Sequence, residues 1–217
     1  METDDNLMLL AKRSGALYKE CMQEVKFRLH YAEQLLKRLA KTSSFNNKVL
    51  VSEAVALHFR KIIELIALAS ISANKTEYAR IRAEFHRDWN ARLIFRDLER
   101  INASFYPVPI SGLSSPQYPD GLSVIEEHNT GFLTRDGAIS LYERCASVLH
   151  AENPFSKKNN YDEISASFND MIPMFKVLLS NFWVHLVPAD QAFCVWMYFD
   201  QDKDIDVALF KFNEHSA

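Results

Sequence analysis

Apolar residues recur along the first forty positions in steps of three and four. Leu7, Ala11, Ser14, Tyr18, Cys21, Val25, Leu29, Ala32, Leu36 and Leu39 form one mostly apolar stripe, which predicts a helix over 4–41. The stretch TSSFNNK (42–48) ends it, because Ser, Thr and Asn side chains bond locally to the backbone and favour turns. A second helix is expected over 48–73. Val51, Val55, Phe59, Ile62, Ile66 and Ala69 make one face, and Leu57, Ile63, Leu65, Leu68 and Ile71 cover much of the rest. A helix that is apolar nearly all round is a buried one.

A third helix is expected over 75–102, carrying Arg80, Arg82, Arg87, Arg92, Arg96 and Arg100. Four prolines (Pro107, Pro109, Pro116 and Pro119) then make 103–131 read as one long irregular loop: a functional segment, a disordered one or a packed cover. The fourth helix starts at Thr134, an N-cap with Asp136 in the first turn, and stops before Pro154. The fifth covers 162–179, with a kink expected at Pro173.

After residue 180 the period changes from three and four to two. NFWVHLV, AFCVWMYF and IDVALFKF are short, rich in β-branched and aromatic residues, and separated by polar turns. The expected fold class is therefore mainly α (α+β): a five-helix bundle over 1–180, then a three-stranded antiparallel meander over 181–217. The meander either packs on the bundle or serves assembly.

Composition narrows the function classes. Of 217 residues, 48% are hydrophobic and 24% charged, as in an ordinary globular protein and unlike a disordered chain. Cys21, Cys145 and Cys194 lie far apart with no CxxC pattern, which reads as reduced thiols in the cytoplasm. The first residues lack the basic and apolar regions of a signal peptide, and the longest apolar run, 62–73, is too short to span a bilayer, so no membrane is expected. Net charge is −3, but residues 1–135 carry 19 Lys+Arg against 16 Asp+Glu, and residues 136–217 carry 6 against 12. Any polyanion site must therefore be local.

No Gly-rich phosphate loop, HExxH, GxSxG or zinc-finger spacing is present, so no cofactor and no metal are expected. Asp200, Asp202, Asp204 and Asp206 alternate like a calcium loop, but Ile205 stands where that loop needs Gly and Lys211 where it needs Glu. A polar hairpin turn is the better reading.

Two clusters carry chemistry. In YERCASVLHAENPF, Arg144 offers a fixed fork of donors suited to a phosphate, and His150 suits proton transfer near neutral pH. A surface arginine and a C-terminal capping histidine are the plainer alternative. In HFRKIIELIALASISANK, Arg60 and Glu64 share one face of an apolar helix at i,i+4 and should pair, either as structure or to orient Arg144 or His150. The stripe Arg92, Arg96 and Arg100 reads as a solvated or internally paired face.

Arg144, five residues and then His150, on a late helix of a helical bundle, resembles the signature of the HEPN superfamily. LHFRKIIELIALASISANK resembles that superfamily's apolar core helix, so the likeness covers about residues 1–180. It implies a metal-independent endoribonuclease of the prokaryotic defence or toxin–antitoxin kind, working as a homodimer on RNA, with an antitoxin or other protein partner. By that analogy Arg144 stabilises charge on the phosphate. His150 orients the phosphate or exchanges a proton as the ribose 2′-hydroxyl attacks, leaving a 2′,3′-cyclic phosphate. Arg60, Glu64 and Asn153 are the supporting residues. Cys145 and Glu152 depart from the pattern of active members, and the alternative is a non-catalytic HEPN-like module that binds RNA or protein.

Overall fold

The computed structural model describes residues 2–41, 44–75, 78–79, 90–113, 125–152, 155, 158–187, 191–199 and 202–211. The elements bounded among them are α1 (Glu2–Leu39), α2 (Phe45–Ala73), α3 (Ala91–Ile101), β1 (Val108–Leu113), β2 (Ile125–Glu127), α4 (Arg135–Leu149), α5 (Tyr161–Leu179), β3 (Asn181–His185), β4 (Gln191–Trp196) and β5 (Asp206–Lys211).

From Tyr18 onward the predicted stripe of α1 is buried, apart from half-buried Cys21. Tyr18, Val25, Leu29, Ala32, Leu36 and Leu39 are at most 6% exposed and pack against α2, whose Val55, Phe59, Ile62 and Ile66 are fully buried. Phe59 meets the rings of Phe168 and Phe175 from α5, each with centroids 5.3 Å apart. α5 remains a single helix through Pro173.

Two expectations need correction. Residues 75–102 do not form one helix: Asn90 has an extended backbone, and its side chain accepts the Leu93 N–H, so α3 begins there. Arginines recur on both sides of this point, which hides the break from a sequence reading. Arg80, Arg82 and Arg87 lie outside the described residues. The stretch 103–131 is not simply a loop either. It supplies β1 and β2, and among the described residues the sheet has five antiparallel strands in the order β2-β1-β3-β4-β5 rather than three. Pro109 suggested a loop because proline cannot donate to a ladder. It sits where its carbonyl still accepts the His128 N–H at 2.8 Å, and the β1–β2 register slips between Ile110 and Gly112.

β3, β4 and β5 form the expected meander, with Trp183 opposite Cys194 and Cys194 opposite Ala208. Phe182, Val184, Phe193 and Val195 face the helices and join the main core, where Tyr18 of α1 lies 5.9 Å from the Phe193 ring. Ile110, Trp183, Ala192 and Cys194 are buried in a second cluster on the other face. Two buried faces explain why these strands read as nearly continuous apolar runs. No helix among the described residues is long and apolar enough to cross a membrane.

Candidate functional site

The two sequence clusters meet along α4. Thr134 starts this helix as expected, its hydroxyl accepting the Gly137 N–H at 3.1 Å. Tyr142 and Arg144 are two residues apart, about 200° around the axis, and so leave opposite sides.

On the inner side Tyr142 is 5% exposed and closes a triangle with α2. Arg60 Nε donates to Glu64 Oε1 at 3.1 Å, Arg60 Nη2 donates to the Tyr142 hydroxyl at 2.8 Å, and that hydroxyl donates to Glu64 Oε1 at 3.0 Å. The Arg60 guanidinium also lies 4.5 Å from the Tyr142 ring centroid. Burial first, and then the Glu64 carboxylate, raise the Tyr142 pKa above its ordinary value of 10. The Arg60–Glu64 pair is half-buried, and Arg144 is not part of it. Beside it, Cys145 is fully buried, and burial pushes its thiol up to about 12 in spite of Arg144 and Arg60 nearby. Such a thiol is a packing residue, not a nucleophile.

On the outer side Arg144 is exposed. Its Nη1 donates to the Ser167 hydroxyl of α5 at 2.6 Å, a neutral partner that leaves the positive charge uncompensated by this contact. Arg144 lines a small open cavity of about 270 Å³ with Ser147, Lys158, Asn159, Asn160 and Glu163. Asn160 caps α5 by accepting from the Asp162 and Glu163 N–H groups, and its amide nitrogen donates to Glu163 at 2.7 Å. His150 ends α4 in an extended conformation, exposed, and is not among the residues lining that cavity. Among the described residues, His150 does not share the cavity that Arg144 lines. Asn153 lies outside the described residues.

The chain matches no protein-family model, no curated protein and no solved structure. Residue chemistry alone then separates structural charges from available ones. Arg92 pairs with Glu143 at 2.8 Å, and Arg96 and Arg100 both reach the buried carboxylate of Asp97, at 3.0 and 3.9 Å. That stripe is an internally paired face. Of the alternating aspartates, Asp204 is held by Lys19 and Gln23 and Asp206 by Tyr198 and Lys203, while Asp200 lies outside the described residues. Among the described residues no group of three or more His, Cys, Asp or Glu is placed to hold a metal. All three cysteines are free thiols.

Tyr142, Ser167 and Lys158 were not singled out by the sequence. Tyr142 and Ser167 depend on which helices face each other, and Lys158 lies in a polar run with no period.

Proposed function

We propose that this chain is a HEPN-like protein that acts on RNA, with Arg144 as its phosphate contact and His150 as its proton-transfer group. The observation that supports the reading is the state of Arg144. It is exposed, bonded only to a neutral hydroxyl among the contacts described, and set beside Lys158 in a polar recess. A guanidinium so placed can take two phosphate oxygens at once.

Catalysis in this reading belongs to a two-fold dimer. His150 stands at the exposed end of the same helix, so a second copy packed along α4 brings its His150 to the Arg144 recess of the first, and the reverse follows by symmetry. Arg144 then offsets charge on the phosphate as the 2′-hydroxyl attacks, and His150 moves the proton. The resemblance implies that no metal is required.

Incubating total RNA with the purified protein and a metal chelator tests this. Cleavage should persist in chelator and fall by about 100-fold or more in His150→Ala, the low end for a lost acid–base group. A pure dimer that cuts no RNA ends the enzyme reading. The binding-module reading then takes its place, and the separation of His150 from the Arg144 recess within one chain is the observation that favours it.

A further inference from the structure

Exposed apolar residues gather on the outer face of the α1–α2 pair. On α2, Leu50, Ala54, Leu57 and Lys61 fall at i, i+4, i+7 and i+11 and so share one face of the helix. Leu50 is 64% exposed, Leu57 is 43% exposed and Ala54 is half-buried. On α1, Phe27 and Tyr31 are exposed with ring centroids 5.5 Å apart, and the Tyr31 ring lies 5.7 Å from that of His58, the residue after Leu57. Burial first, and then Arg28, lower the His58 pKa, so this imidazole is neutral at pH 7 and adds no charge to the face. The opposite side of the same stretch of α2 is already used, with Val55, Phe59 and Ile62 fully buried in the core. Contiguous apolar surface left outside the core marks an interaction site.

The charges on this face indicate what covers it. Glu53 stands four residues before Leu57 and Lys61 four residues after it, about 6 Å away on either side at 1.5 Å per residue. Neither side chain forms a hydrogen bond or an ion pair among the described residues. Their neighbours Arg60 and Glu64 differ in this respect, being matched to each other and to Tyr142. A two-fold axis perpendicular to α2 beside Leu57 runs two copies of the helix antiparallel. It sets Leu57 against the partner's Leu57 and brings each Glu53 level with the partner's Lys61. One sequence then supplies both halves of two ion pairs. The apolar spacing is that of a coiled-coil seam, in which a single lysine at a core position fixes the register. An unrelated apolar helix would cover the leucines but leave both charges unmatched.

We propose that the outer face of α2, centred on Leu57 and flanked by Phe27 and Tyr31 of α1, is the surface on which a second copy of this chain docks. The proposal uses neither Arg144 nor His150. Tyr142 joins α4 to α2, so the same axis keeps both α4 helices on one flank of the dimer. The interface is therefore compatible with a site shared between copies but does not rest on it.

Sedimentation equilibrium of the full chain over a concentration range of about 100-fold tests it. The wild type should be a dimer that dissociates on dilution. Leu57→Glu puts two carboxylates together at the axis. This variant should sediment as a monomer across the range and keep the helical circular dichroism of the wild type, because position 57 is exposed. Glu53→Lys and Lys61→Glu each set like charges face to face, and each should weaken the dimer about 10-fold or more. The double variant exchanges the two charges and restores their opposition, so its affinity should return close to the wild-type value, a recovery that a folding defect would not give. Leu209→Glu, at an exposed leucine on β5, should leave the dimer intact. A wild type that is monomeric throughout, a Leu57→Glu chain that remains dimeric, or a double variant no tighter than its singles would each overturn the proposal. A monomeric Leu57→Glu chain that cleaves RNA at the wild-type rate would support this interface and remove the shared catalytic site, so the two readings fail separately.

Discussion

The two sides of α4 hold similar residues in opposite situations. Inward, Arg60, Glu64 and Tyr142 satisfy one another through three hydrogen bonds and a ring contact. Outward, Arg144 meets one serine hydroxyl, and His150 sits in solvent at the helix end. A charge already matched by its neighbours contributes to architecture, because unpairing it leaves a partly desolvated group without a partner. A charge met only by a neutral hydroxyl is still free to bind an anion. The difference separates structure from chemistry on one helix, and four variants probe it.

The largest effect on stability should come from the inner side. Glu64→Ala strands Arg60 and the Tyr142 hydroxyl, and we expect a loss of about 1–3 kcal/mol in urea unfolding with RNA affinity unchanged. The half-buried position of the pair keeps this below the cost of a fully buried one. Tyr142→Phe removes two hydrogen bonds but keeps the ring and the Arg60–Glu64 pair, so the expected loss is about 1 kcal/mol by the same measurement. If either variant abolished RNA binding while remaining folded, the inner cluster would have to be counted as part of the site.

Arg144→Ala should do the reverse. An exposed arginine bonded to one serine should change stability by no more than about 0.5 kcal/mol, and its loss should weaken RNA binding. A large drop in unfolding midpoint would make Arg144 a structural residue like Arg60.

The smallest effect belongs to Asp204, an exposed charge of the matched kind. Lys19 and then Gln23 and the Ile205 N–H hold its pKa at about 2, below the ordinary value of 3.8. A depressed carboxylate contributes stability that is present above pH 3.8 and lost as pH falls toward 2. Asp204→Asn should therefore flatten the acid limb of the melting temperature between those values, its small loss of stability appearing above pH 3.8, reduced by solvent screening at this exposed site, and vanishing toward pH 2.

Much of this was readable from periodicity. The steps of three and four located α1, α2, α4 and α5 within a few residues, and the change to period two located β3, β4 and β5. What escaped depends on partners distant in the chain. β1 contains Pro109 and Gly112, which look like a loop until β2 and β3 lie alongside. Asn90 is a cap only because its side chain turns back to Leu93, a local event that the surrounding arginines mask. For the site, i,i+4 spacing was enough to pair Arg60 with Glu64. Tyr142 joins them from 78 positions beyond Glu64, and Ser167 meets Arg144 from 23 positions away, so neither contact has a spacing to read.

The central claim is that Arg144 of one copy works with His150 of another. Mixing Arg144→Ala with His150→Ala protein tests it most directly. Random reassortment makes half of the dimers mixed, and each mixed dimer holds one site with both residues intact. RNA cleavage should then return to about a quarter of the wild-type rate although each variant alone is inactive. Failure of the mixture to recover activity under conditions where subunits are shown to exchange would contradict a shared site, as would variants that cleave as well as the wild type.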